Sequence, residues 1–169
     1  MTARRPVIGV MGRGEGAASA DLLAAEELGR RIAERGWVLL TGGRAAGVMA
    51  AANRGAKSVP GSLTLGILPS RHAADVAVCE CVDVAIFTGM GDARNAINVL
   101  SSDAIVVCGG ASAGTASEVA LALKAKRPLI LLSPPPPAAA FFASLDPELP
   151  IASTPEHAVQ LIVRALGNA

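Results

Sequence analysis

Short apolar runs alternate along the chain with longer stretches in which apolar residues return every three or four positions. Runs at 7–11, 37–40, 63–68, 82–87, 104–108 and 129–132 predict strands. The intervening periods predict helices over 21–35, 47–53, 93–101 and 115–126, and a last helix from 154 to about 166. In the first helix Leu22, Ala25, Leu28 and Ile32 share one face. Ser19 is placed to cap it, Asp21 suits its positive start, and Gly36 stops it. Ala96, Ile97 and Leu100 are expected inward on the third helix, and Val119, Ala122 and Leu123 on the fourth. The last helix opens on Thr154-Pro155-Glu156, a cap, a proline at the first position and an acid just inside. Residues 69–77 read as an exposed excursion and 134–137 as a stiff polyproline exit, with Phe141 and Phe142 beginning a satellite of the core.

Strand and helix alternating throughout means a parallel sheet covered on both faces. The run 104–108, uninterrupted and rich in β-branched residues, fits a strand buried on both sides. The expectation is an α/β chain: one doubly wound, Rossmann-like parallel sheet of six or seven strands flanked by helices, forming a single domain over 1–169.

Composition narrows the function. The chain is 51% hydrophobic and 17% charged, which excludes intrinsic disorder. A net charge of +1 draws the protein to neither nucleic acid nor an acidic membrane. Aromatics are only 2% of residues, too few for a single-strand stacking platform. Nucleic-acid and membrane partners are therefore not expected. The amino-terminal apolar run is too short for a secretory signal, and no run is long enough to span a membrane. Cys79, Cys81 and Cys108 are an odd, sparse set that fits a reducing cytoplasm. Cys79 and Cys81 lack the second pair or nearby histidine of a zinc site, so no metal ligands are assigned and the three read as small buried hydrophobes. His72 and His157 stand alone and read as surface residues.

In a doubly wound sheet ligands bind beyond the carboxyl ends of the strands. Four strands here end in glycine loops: Gly12-Arg13-Gly14-Glu15-Gly16, Thr41-Gly42-Gly43-Arg44 through Gly47, Thr88-Gly89-Met90-Gly91, and Gly109-Gly110 through Gly114-Thr115. Glycine lets backbone N–H groups approach an anion, and each loop leads into a helix start with partial positive charge. Arg13, Arg44 and Arg94 fall in or beside three of the loops. The rim is therefore expected to take a small molecule bearing a phosphate. The first loop is not a G-x-G-x-x-G fingerprint and no acid follows the second strand, so a nicotinamide cofactor is excluded. No G-x-x-x-x-G-K-[ST] loop is present either. Glu118 sits in the first turn of the helix after the fifth strand, where it complements the helix dipole and can also meet a ligand. Asp92 and Glu15 are looser candidates, and neither histidine lies in a glycine loop to build a serine triad.

The segments Thr41-Gly42-Gly43-Arg44 with Gly47-Val48-Met49, Arg94-Asn95, Ser101-Ser102-Asp103, and Gly114-Thr115 with Glu118 to Lys126 resemble the lysine-decarboxylase-like, or SLOG, superfamily. Within it the chain resembles the molybdenum cofactor carrier proteins of green algae, through nearly its whole length. That resemblance implies a homotetramer of Rossmann-like subunits that stores or delivers the molybdenum cofactor, an oxygen-sensitive pterin dithiolene with a terminal phosphate. It implies molybdoenzymes or cofactor-synthesis proteins as partners. The cofactor contacts would come from Gly12, Arg13, Thr41, Gly42, Gly43, Arg44, Gly47, Arg94, Asn95, Gly109, Gly110, Ser112, Gly114, Thr115 and Glu118. Thr41, Asn95 and Ser112 would hold the pterin edge. Cys108, ending a strand at the cleft, is either a sulfur contact to molybdenum or an inert buried thiol.

The same superfamily contains the cytokinin riboside monophosphate phosphoribohydrolases, whose signature is P-G-G-x-G-T-x-x-E with an upstream Arg-Lys pair. By that resemblance Arg94 and Glu118 would be catalytic, cleaving the N-glycosidic bond of a nucleoside 5′-monophosphate. This chain departs from the pattern: Cys108 replaces the proline, three residues separate Gly110 from Gly114, and Asn95 replaces the lysine. A two-residue insertion in a phosphate cradle can move the reacting bond by more than the roughly 1 Å that catalysis tolerates. The departures weaken the enzyme reading and leave a non-enzymatic carrier as the leading one.

Overall fold

A computed structural model describes residues 4–167. Seven parallel strands form one sheet: β1 (Val7–Gly12), β2 (Val38–Thr41), β3 (Leu63–Leu68), β4 (Val84–Phe87), β5 (Ala104–Cys108), β6 (Leu129–Leu132) and β7 (Ile151–Ala152). Six α-helices flank it: α1 (Ser19–Glu34), α2 (Gly47–Lys57), α3 (Asn95–Leu100), α4 (Ala113–Lys124), α5 (Pro136–Leu145) and α6 (Pro155–Gly167). The strand order is β4-β3-β2-β1-β5-β6-β7. The chain winds outward from β1 to β4, then returns to place β5 against β1 in register from Ile8↔Ala104 to Gly12↔Cys108. Strand order reverses between β1 and β5, so the carboxyl ends of these two strands flank the ligand crevice expected of such a sheet.

The central strands alternate between two cores. On β5, Ala104, Val106 and Cys108 face a layer built by α1, α2 and α6, where Leu28, Ile32, Val48 and Ile162 are buried. Ile105 and Val107 face the opposite layer of α3, α4 and α5, where Val99, Val119, Ala122 and Phe142 are buried. Burial on both faces is why the run carried no polar alternation.

Several boundaries and faces differ from expectation. Helix α1 begins at Ser19 itself, behind Ala18, with no side-chain cap bond. Helix α2 continues past Asn53 to Lys57, because Gly55 and Ala56 pack inward and extend the buried face. The prolines are not all extended: Pro135 is the extended residue before α5, and Pro136 opens the helix, where a missing N–H is harmless. Phe142 is buried, whereas Phe141 is exposed on the outer side of α5. On α3 the inward residues are Asn95, Asn98 and Val99, and Leu100 is 56% exposed. The helix is too short to hold a continuous apolar stripe, and its polar side is turned to the rim of the sheet. The two-residue β7 was too short to register as an apolar run. Among the described residues no helix is long and apolar enough to cross a membrane.

Candidate functional site

At the carboxyl ends of β1, β2 and β5 lies a cleft of about 210 Å³. It is lined by Val10, Met11, Gly12, Gly14, Gly42, Arg44 and Met49 from the chain around β1, β2 and α2, and by Asp92, Arg94, Asn95, Ser112, Gly114, Thr115 and Glu118 from the chain around α3 and α4. Strand ends separated by 29 to 96 residues in sequence are thereby brought to one place by the sheet order.

Backbone packing shapes the first wall. Gly47 has φ +53°, and a side-chain carbon there would collide with the carbonyl oxygens of Arg13 and Gly14. The loop after β1 therefore lies directly on the start of α2, tied by the Val48 N–H donating to Arg13 O at 3.0 Å. Gly42 gives its space to a neighbour: a Cβ would stand 2.6 Å from Arg94 Nη1 and 2.7 Å from Met49 Sδ. Arg94, at the end of the turn that precedes α3, thus lays its guanidinium on the backbone after β2.

Arg94 is 12% exposed, and none of its nitrogens makes a hydrogen bond to a described residue. Its Nε is buried without a partner. Its Nη1 stands 4.0 Å from Glu118 Oε1, close enough to feel the charge and too far for a hydrogen bond. Burial pulls the guanidinium below its ordinary pKa, Glu118 and Asp92 raise it, and Arg44 lowers it again. An arginine stays charged through such shifts, so this is a positive group with unused donors.

Glu118 is 6% exposed and lies in the second turn of α4, not the first, because the helix begins at Ala113, two residues before the expected start. Its Oε1 accepts from Asn98 Nδ2 at 2.9 Å. Burial raises its pKa, and the Asn98 hydrogen bond and Arg94 partly oppose that rise. Asn98 Oδ1 is itself buried without a partner. Asn95 donates to Ser117 Oγ at 2.8 Å, which holds its amide across the mouth of α4. Ser112 caps α4: its Oγ accepts from the Thr115 N–H at 3.2 Å and lies 2.9 Å from Thr115 Oγ1.

The remaining expected residues lie around the cleft. Thr41 is fully buried, its Oγ1 accepting from the Gly43 N–H at 3.1 Å and from Asn53 Nδ2 at 3.0 Å. It braces the glycine turn and does not line the cleft. Gly43 packs against Gly66 of β3. Arg13 reaches over the rim to Ala111 O at 3.1 Å and borders a neighbouring depression with Asp21, Gly110 and Ser133. Gly109 packs on the Asp21 carboxylate. Arg44 lines the cleft and pairs with Glu15 at 2.8 Å near the surface. Cys108 is buried, outside the cleft lining, and its thiol is pushed up to about 12, first by burial and then by Asp21. It is an inert thiol at the core side of β5.

Asn98, Met11 and Met49 belong to the site or its support and were not anticipated. Both methionines are also buried among the core residues. Asn98 had a signal: it lies three residues after Asn95, so the two amides share one side of α3.

Comparison with known proteins agrees with this architecture. The SLOG cluster4 family matches residues 5–159. The molybdenum cofactor binding protein of the phototrophic bacterium Rippkaea orientalis is 51% identical and superposes with a TM-score of 0.92, covering 98% of this chain and 99% of that one. The molybdenum cofactor carrier protein of Chlamydomonas reinhardtii is 46% identical with a TM-score of 0.88, covering 97% and 99%. A protein of Archaeoglobus fulgidus is 40% identical over 162 residues, 92% of this chain and 93% of its own length. With a family match across most of its length and the same sheet, the chain belongs to the SLOG cluster4 family.

Proposed function

We propose that this protein binds, shields and hands on the molybdenum cofactor without catalysing a reaction on it. The observation that carries the reading is Arg94: a guanidinium 12% exposed, with no hydrogen bond to the described residues, lying in the cleft beside the point where strand order reverses. Placing a charge there costs desolvation, which an anionic or carbonyl-bearing ligand offsets through charge-assisted hydrogen bonds. The solved relatives that bind or carry the cofactor support the choice of ligand. The terminal phosphate is assigned to the glycine-loop rim, where Arg13 and Arg44 and the glycine turns at Gly12, Gly14, Gly42 and Gly114 supply positive field and close approach. The ring system is assigned to the deeper wall of Arg94, Asn95, Ser112, Thr115 and Glu118. Enclosure of the dithiolene slows its attack by oxygen and water. Free Cys79, Cys81 and Cys108 suit a reducing, cytoplasmic setting.

A homotetramer is part of this proposal. Val84, Ile86, Met90 and Leu100 are exposed apolar residues that such an assembly would cover. Light scattering of the purified protein tests it.

The test of the carrier function is to add released cofactor to the purified protein under anaerobic conditions. Retained molybdenum and activation of a cofactor-free molybdoenzyme are then measured. Retention followed by activation supports the reading; free passage of the cofactor through a desalting column contradicts it. The juxtaposition of Arg94 and Glu118 favours one second reading, a nucleoside 5′-monophosphate phosphoribohydrolase. It requires release of free base and ribose 5-phosphate from adenosine monophosphate, abolished in Glu118→Ala. No release over hours at high protein concentration removes it.

A further inference from the structure

The interior of the cleft is not a uniformly positive cup. Arg44 and Arg94 line it together with Asp92 and Glu118, so its formal charge cancels. A phosphate pushed to the deep end would meet the Glu118 carboxyl as well as Arg94. The deep end instead presents an acceptor and a donor side by side. Glu118 Oε1 is held by Asn98 Nδ2 at 2.9 Å, and Oε2 has no donor among the described residues. Arg94 stands 4.0 Å from that carboxyl, with its own N–H groups unused. A carboxylate offers more acceptor sites than the one bond from Asn98 consumes.

We propose that Glu118, fixed by Asn98 and set beside Arg94, reads the edge of a 2-amino-4-oxopyrimidine ring, the carboxylate accepting from the amino group and the adjacent ring N–H while the guanidinium donates to the carbonyl. This rests on the ligand-binding reading above and narrows it to a ring class. The ring's edge runs donor, donor, acceptor, and the pair Glu118 and Arg94 is its complement. Pterin and guanine carry this edge; adenine does not. The rule that a site built to hydrogen-bond a ligand rejects the analogue lacking those groups makes the pair a specificity determinant. Asn98 is a positioning residue: it donates to Glu118 Oε1 and so fixes the orientation of the carboxylate beside Arg94. The phosphate is then left at the rim, with Arg44 and the glycine turns.

The test is calorimetric titration of the full chain with two probe pairs: pterin against lumazine, in which the 2-amino group is an oxo group, and guanosine against adenosine 5′-monophosphate. The account expects at least about tenfold preference for the 2-amino-4-oxo member of a pair, as the loss of a hydrogen bond to a charged group predicts. Glu118→Gln, which keeps shape and removes the charge, is expected to bring the ratio to within about twofold of one. Asn98→Ser is expected to lower the ratio while the circular dichroism spectrum stays native. Preference in the pterin pair alone identifies a pterin, and preference in the nucleotide pair alone identifies a guanine nucleotide. Equal binding within both pairs, a preference that survives in Glu118→Gln, or no binding of any probe overturns the proposal. Cofactor retention that persists with any of those outcomes leaves the carrier reading intact; loss of retention defeats that reading separately.

Discussion

The outer face of α1 and the cleft at the sheet's carboxyl rim use arginine in opposite ways. On α1, Arg30 donates to Glu27 at 2.6 Å and pairs with Glu34, and Arg31 donates to the same Glu27 at 2.6 Å. These side chains are about a third exposed and find partners three or four residues along their own helix. In the cleft, Arg94 is far more buried and has no hydrogen bond among the described residues. A paired arginine in solvent gains little, because water already satisfies it. An arginine out of solvent whose donors are not hydrogen-bonded is costly even beside a carboxylate, and a fold keeps that cost where a ligand completes the site. The difference between saturated and unsaturated guanidinium groups marks the functional face more clearly than the number of arginines does.

Removing Arg94 should break the comparison most severely. Arg94→Ala is expected to weaken cofactor retention by about 100-fold or more, the loss of at least two charge-assisted hydrogen bonds. Molybdenum remaining after desalting reads this directly. Next comes the backbone that shapes the cleft. Gly47→Ala places a side chain at positive φ against the Arg13 and Gly14 carbonyls. A destabilisation of about 2–4 kcal/mol is expected, combining left-handed strain with overpacking, and urea unfolding measures it.

Glu118→Gln sharpens the contrast through pH. Burial raises the Glu118 carboxyl above its ordinary value, so the folded chain holds this proton more tightly than the unfolded chain does. Stability therefore falls as pH rises from the ordinary value of 4.5 through the raised one. The Gln variant is expected to melt higher than wild type at neutral pH. The gain should shrink to nothing below pH 4.5, where both folded and unfolded wild type are protonated. Thermal melts across that range check the sign. The smallest effect belongs to the saturated region. Arg30→Ala should change stability by less than about 1 kcal/mol and leave cofactor retention unaltered.

The sequence made the sheet legible because β1, β3, β5 and β6 are dense apolar runs bounded by turns, a signal that depends on local chain alone. It placed the glycine loops at one rim because a parallel sheet aligns all its carboxyl ends. Arg44, Arg94, Asn95 and Glu118 were legible as a group for the same reason, and the cleft gathers them. What was hidden depended on tertiary choice. Thr41 looks like a free hydroxyl at a loop, yet its glycine turn and Asn53 enclose it. Leu100 looks like core, yet a six-residue helix that turns Asn98 toward Glu118 must turn Leu100 outward. Pro136 reads as part of an extended polyproline exit, yet at the first position of α5 it starts a helix.

The most direct test of the central claim is anaerobic purification of the wild type and Arg94→Ala, followed by mass spectrometry and metal analysis of what remains bound. The account predicts a phosphate-bearing pterin with molybdenum on the wild type and its near-complete loss from the variant. A wild type that carries no such ligand when the cofactor is supplied, or a variant that retains it equally well, would contradict the account.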